Sequence, residues 1–200
     1  NYAWILHILS HMNKQKGVAG FLLANGALGD TDALTIRREL IENDKVEAII
    51  VLPRELFITT DISVTLWILN QNKKGGMWHG RKQRNREGEI LFMDLRQWTE
   101  NPVKGEQKKK VILKDNQIKR ATEIYFKWQA EGTDGTNYAE PELYRSVRID
   151  EADGIEANNF SLVPSRYIEF VDRDSAIDYH KVLTETASTV TDLLERQKKN

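Results

Sequence analysis

The stretch from Lys45 to Asn72 reads "KVEAIIVLPRELFITTDISVTLWILNQN", two apolar runs joined by about ten residues without helical periodicity. The first run is closed by Pro53, and the second is rich in β-branched and aromatic residues, so both read as strands. A connector this short, with no crossover helix in it, predicts that the two strands run antiparallel. It also carries a large apolar ring, Phe57, among the polar residues Thr59, Thr60 and Asp61. A ring in a polar connector either plugs the end of the sheet or faces a ligand.

Working outward, Thr31 and Asp32 are placed to cap a helix that runs through Asn43 with Ala33, Ile36 and Leu40 on its buried side. The preceding "GVAGFLLAN", entered from Gly17, is an unbroken apolar run that predicts a strand covered on both faces of a parallel sheet. Before it, Trp4, Ile5, Ile8, Leu9 and Met12 recur at helical spacing with no capping residue ahead of them, as if the sequence were cut from something longer. "GEILFMDLR" adds a further strand after the pair. The predicted class is α/β, in the order helix-strand-helix-strand-strand plus an extra strand.

The charged run "TENPVKGEQKKK", broken by Pro102 and Gly105, predicts a boundary: one domain over 1–98, a linker over 99–115, and a mainly helical C-terminal region over 116–200. In that region "NQIKRATEIYFKWQAE" is amphipathic through Ile118, Ala121, Tyr125 and Trp128, and 132–174 reads as loops and short strands. From Ser175 a long helix is predicted, with Ala176, Tyr179, Leu183, Ala187, Val190 and Leu194 on a narrow stripe that fits a partner helix.

Composition narrows the chemistry. The 29 Lys and Arg nearly cancel the 30 Asp and Glu, so affinity for nucleic acid must come from local clustering. With no cysteine there is no disulfide, thiolate metal site or cysteine nucleophile, and no apolar run is long enough to span a bilayer. A cytoplasmic protein without membrane contact is the expectation. His7 and His11 share a helix face, but no third ligand accompanies them, so no metal is expected. "NGALGD" follows a strand without the spacing of a glycine-rich phosphate loop, and Glu131 and Asp134 carry no mark of an acid/base pair. The one electrostatic feature is "KKGGMWHGRKQRNRE", where Lys73, Lys74, Arg81, Lys82, Arg84 and Arg86 gather around Trp78; Arg81, Lys82, Arg84 and Arg86 are candidate DNA-phosphate contacts.

Taken in order, "AWILHILSHM", "VAGFLLANGALG", "IRRELIENDKVEAIIVLPRELF", "VTLWILNQNK", "GEILFMDLR" and "LVPSRYIEF" resemble the modification subunit of type I restriction enzymes, a family of S-adenosylmethionine-dependent DNA adenine-N6 methyltransferases. The resemblance implies that residues 1 to about 98 are the C-terminal half of a Rossmann-like class I methyltransferase sheet, with its fifth strand and the antiparallel sixth and seventh. The family's Phe-x-Gly-x-Gly cofactor loop and Asn-Pro-Pro-Phe or Tyr catalytic motif do not occur in the sequence. By that resemblance the chain is a C-terminal fragment with neither catalytic nor cofactor-binding residues of its own, inactive alone, partnered by DNA and by the specificity and restriction subunits. Phe57 matches the aromatic that lies against the flipped adenine in related enzymes, where stacking replaces part of what the base loses on leaving the duplex. The alternative is a non-catalytic DNA- or protein-binding module in which the basic loop and the terminal helix do the binding.

Overall fold

A computed structural model of the chain describes residues 1–57, 60–98 and 111–171, together with Leu183 and Thr186. The order is α1 (Tyr2–His11), β1 (Val18–Ala24), α2 (Leu34–Glu42), β2 (Val46–Val51), β3 (Val64–Asn70), β4 (Gly76–Trp78), β5 (Arg81–Gln83), β6 (Glu89–Asp94), α3 (Asp115–Gln129), β7 (Ala139–Glu140) and β8 (Tyr144–Arg148). Six strands form one mixed sheet in the order β1-β3-β2-β6-β8-β7, and β4 and β5 form a separate hairpin.

The β2–β3 pair is antiparallel, from Val46 opposite Leu69 to Val51 opposite Thr65, as the short connector predicts. β2 is buried along its whole length, which suits its run of β-branched residues, and its parallel neighbour is β6, with Ile49 beside Phe92. β1 departs from expectation. It is an outer strand that pairs antiparallel with β3, and its residues alternate between exposed and half-buried. Phe21 and Leu23 pack on the core, whereas Val18 and Leu22 are exposed on the other face, so an unbroken apolar run here marks a strand covered on one side only.

Two apolar layers sandwich the sheet. One holds Tyr2 and Ile5 of α1, Leu40 and Ile41 of α2, Trp67 and Leu69 of β3, and Phe160, Leu162 and Tyr167 from the segment after β8. The other packs Ile124 and Trp128 of α3 on Ala48, Ile50, Leu91 and Met93. Ile118, expected on that buried stripe, is exposed in the first turn of α3. The expected side-chain cap of α2 is also absent: its N-cap is Ala33, and no side chain bonds the first turn. The helix is fixed instead by Arg37, which is buried and whose Nε donates to the Phe160 carbonyl at 2.7 Å and Nη1 to the Asp30 carbonyl at 2.7 Å.

The boundary expected at 99–115 falls inside one compact unit, Asn1–Glu169. β8 pairs antiparallel with β6 and α3 lies on the same sheet, so 116–169 completes the first unit instead of forming a helical region apart from it. Phe170–Asn200 is a second unit. The terminal helix predicted from Ser175 lies outside the described residues, save that Leu183 and Thr186 are helical.

Burial has a consequence for alkaline stability. It raises the phenol pKa of Tyr2, Tyr125, Tyr138, Tyr144 and Tyr167 above the ordinary 10.0. Above pH 10 the folded chain therefore keeps protons that the unfolded chain releases, and stability falls as pH rises. Burial lowers the pKa of Lys73 from 10.5, so Lys73 alone works in the opposite direction, its contribution rising with pH below that value. The Lys73 contribution is complete near its ordinary 10.5, and above that pH only the phenols among these groups act. A titration followed by tyrosinate absorbance and circular dichroism is expected to show most phenols ionising together with loss of the fold above pH 10. Independent phenol titration in the intact fold would contradict this.

Candidate functional site

Because β1, β2 and β6 point the same way, the sheet has two functionally distinct ends, set about 20 Å apart by six-residue strands. The carboxyl end gathers Asn25 after β1, the connector after β2 and the turn after β6. This is the end at which open α/β sheets place their ligands. Phe57 sits here, exposed and outside both apolar layers, with its carbonyl accepting from the Thr60 amide at 3.4 Å. It does not plug the sheet; Leu56 beside it does, packing in the layer that includes Leu52, Leu95 and Trp98. Thr59 lies outside the described residues. Around this end Thr65 donates to Asn25 Oδ1 at 2.7 Å, Arg54 donates to the Asp61 carbonyl at 3.2 Å, and the buried Asp94 holds the guanidinium of the exposed Arg96, Nη2 to Oδ2 at 2.5 Å. The Asp94 hydrogen bond raises the Arg96 pKa further, so Arg96 is a fixed cation at every working pH.

The basic loop lies at the opposite, amino end. Much of its charge is turned inward. Arg86 is fully buried: its guanidinium faces Glu47 at 3.2 Å, and its Nη1 donates to the Arg84 carbonyl at 2.7 Å. Arg84 grips Glu89 with two bonds of 2.9 and 2.7 Å and donates from Nε to the Trp128 carbonyl at 2.8 Å. The two guanidinium groups lie over the Trp128 ring, 5.5 and 5.6 Å from its centre. Lys73 is buried as well, and its Nζ donates to Asp44 at 2.6 Å and to the carbonyls of Val46 and Glu89, joining the first residues of β2 and β6. Arg84 and Arg86 are therefore corrected as phosphate candidates, since every guanidinium edge needed for an anion is already engaged inside the protein. Arg81 and Lys82 remain exposed, the first 3.9 Å over the ring of Phe126 and the second 2.7 Å from Glu131.

The residues that sequence reasoning missed are the acids and amides beneath this loop. Glu47 is fully buried and takes hydrogen bonds from Asn70 and, at 2.7 Å, from Gln129. A signal was present, since a lone acid inside "VEAIIV" must meet a cation wherever the strand is buried. Other residues singled out in the sequence take structural places. The imidazole of His11 bonds the His7 carbonyl at 2.8 Å, and among the described residues no cluster of metal-ligating side chains forms. Asp134 caps a turn through Thr136 and Asn137, which holds its carboxyl below the ordinary range. The turn "NGAL" after β1 is a 3-10 turn whose Ala27 and Leu28 are buried in the core.

With this geometry in view, comparison with known proteins identifies the class. Residues 1–175 match the family described as N-6 DNA Methylase, and the chain belongs to it. Within the family it aligns with methylase subunits of type I restriction enzymes. It is 30% identical over its full length to the MjaIX methylase subunit of Methanocaldococcus jannaschii, and 31% identical over 98% of its length to the HindI methylase subunit of Haemophilus influenzae. The chain spans 33% and 39% of those two relatives. In fold it matches the methyltransferase subunit of a type I restriction-modification system from Streptococcus thermophilus, with TM-score 0.63 and 23% identity over 85% of this chain and 30% of that one. It also matches the EcoKI M protein, with TM-score 0.54 and 16% identity over 98% of this chain and 44% of that one.

The burial of Glu47 and Arg86 sets a measurable cost. Arg86→Met strands an uncompensated carboxylate in the core, and the expected loss is about 3–5 kcal/mol. That corresponds to a drop of roughly 10 °C in thermal midpoint for a chain of this size. Adding Glu47→Gln to the variant is expected to recover much of the loss; an additive double variant in calorimetry would refute the pairing.

Proposed function

We propose that this chain forms the target-base side of a type I modification subunit that methylates adenine N6 in DNA with S-adenosylmethionine. The observation that carries this reading is Phe57, a ring left exposed at the carboxyl end of the sheet, where an extruded base needs a stacking surface. The chain's own part is to bind and orient the base and to exclude water from one side of it.

The methyl donor and the residues that move the methyl group belong, in this proposal, to sequence that the longer relatives carry beyond the portion matched here. Two features support this. The outer edge of β1 has no strand partner among the described residues, and the face it shares with β3 leaves Val18 and Leu22 exposed, so further strands and a helix fit there. S-adenosylmethionine supplies an electrophilic methyl group when bound, and the chain taken alone is inactive. Arg81 and Lys82 are the two residues of the basic loop that we retain as DNA-phosphate contacts, and the terminal helix is assigned to assembly with the specificity subunit, with the restriction subunit joining the complex.

The test uses the full-length subunit in its complex. Phe57→Ala is expected to lower methylation of duplex DNA by roughly tenfold or more, since stacking on an aromatic contributes about 1–3 kcal/mol per base. Phe57→Tyr restores most of the rate, and binding of S-adenosylmethionine by calorimetry is unchanged in both. Full activity in Phe57→Ala, or parallel loss of cofactor binding, would refute the assignment.

A further inference from the structure

We propose that the amino ends of the parallel strands carry a second DNA-binding surface, made by Lys14, Lys16, Lys45 and Lys74 around Trp78, which takes the phosphodiester backbone of a strand away from the target base. It rests on the reading of the chain as part of a DNA methylase, but it is carried by lysines at the amino end of the sheet and not by Phe57.

The four lysines come from three separate connections, α1–β1, α2–β2 and β3–β4, so no run of sequence displays them together. The fold does. Lys14, Lys45 and Lys74 line one open hollow of 390 Å³, together with Asn43, Asn72 and Glu87. Lys16 lines a second hollow of 480 Å³ with Asn13, Met77, Trp78 and His79. Lys14, Lys16 and Lys74 are exposed and Lys45 is half-buried. The acids nearby are mostly occupied: Asp44 is held by the buried Lys73, and Glu87 stands 3.8 Å from Lys74 in an exposed pair that solvent screens. The surplus charge on this surface is positive.

Both loops are held in shape before any ligand arrives. Asn13 Oδ1 accepts the amides of Gln15 and Lys16 at 3.0 and 3.1 Å. A Cβ on Gly17 would meet the Asn13 carbonyl at 2.6 Å, so the turn closes only around glycine. On the other side Asn70 Oδ1 accepts the amide of Asn72 at 2.9 Å, and Asn72 Oδ1 accepts that of Lys74 at 3.1 Å. The hairpin that presents Trp78 turns at His79 and Gly80, with φ of 43° and 77°, and is rooted by the buried Arg84 and Arg86 pairs. Trp78 meets His79 edge to face at 4.9 Å, and Met77 beside it is exposed. Lysines on preformed loops beside an aromatic are the means by which proteins hold a nucleic-acid strand without reading its sequence. The length of the sheet, about 20 Å, separates this patch from Phe57, so the phosphates held here are not those of the target nucleotide.

The measurement is fluorescence anisotropy of a labelled duplex of random sequence, titrated with the complete chain at several salt concentrations. Replacing Lys14, Lys16, Lys45 and Lys74 together by Gln is expected to weaken binding and to reduce the slope of log K against log salt by about 3.6, since each lost phosphate contact removes roughly 0.9. Trp78→Ala is expected to weaken binding of a labelled single strand roughly tenfold while leaving that slope unchanged. The thermal midpoint of both variants stays at that of the parent, because these side chains lie outside the core. Phe57→Ala leaves the random-sequence slope untouched, so a failure of the base-wall reading in the methylation assay and a failure here are separate results. The proposal is overturned if the parent chain does not bind DNA, if the slope of the quadruple variant equals that of the parent, or if Phe57→Ala reduces the slope equally.

Discussion

The rest of the structure depends on the buried contact between Glu47 and Arg86. A carboxylate in the middle of an apolar strand is excluded from the interior unless a cation and enough donors meet it there, and Arg86, Asn70 and Gln129 supply them from β3, α3 and the segment before β6. Each partner fixes one element against another. With Glu47 satisfied, β2 can be buried on both faces; with Arg86 and Arg84 drawn inward, the β4–β5 hairpin is clamped to the end of α3. Lys73 does the same between the starts of β2 and β6. The amino end of the sheet is therefore the rigid end, held by charge, whereas the carboxyl end is held by apolar packing of Leu52, Leu56 and Leu95 and leaves its polar loops open.

This asymmetry suits a base-modifying subunit. In the proposed role, an extruded base would meet an exposed ring, Phe57, beside a packed layer that includes Leu56. The opposite end has the other requirement, namely fixed loops that present cations. The same loop sequence serves both structure and surface: Arg84 and Arg86 are turned inward and build the root from which Trp78, Arg81 and Lys82 are displayed.

Much of the layout was legible in the sequence because it is local. The antiparallel β2–β3 pair follows from a connector too short for a crossover, the packing of Ala121, Tyr125 and Trp128 of α3 from their spacing, and the oddity of Phe57 from a large ring among polar neighbours. The ordered series of segments that resembles type I modification subunits is likewise a property of the chain read in line, and the family match over 1–175 agrees with it. The expected boundary at 99–115 failed because a charged run reads as a linker whether or not the chain later returns to the same sheet, as β8 does by pairing with β6.

The sequence by itself determined the class of fold, the family, and the presence of a misplaced aromatic and a basic run. Only the tertiary structure decided what those charges do. Arg86 finds its partner 39 residues away and Gln129 reaches Glu47 across 82, so no local pattern could say that these groups are internal. Nor could it say that the basic run and Phe57 occupy opposite ends of the sheet, or that lysines from three connections share one surface. Those facts follow from strand direction and register, which are fixed when the apolar faces are buried and every charge carried inside must meet its counterpart.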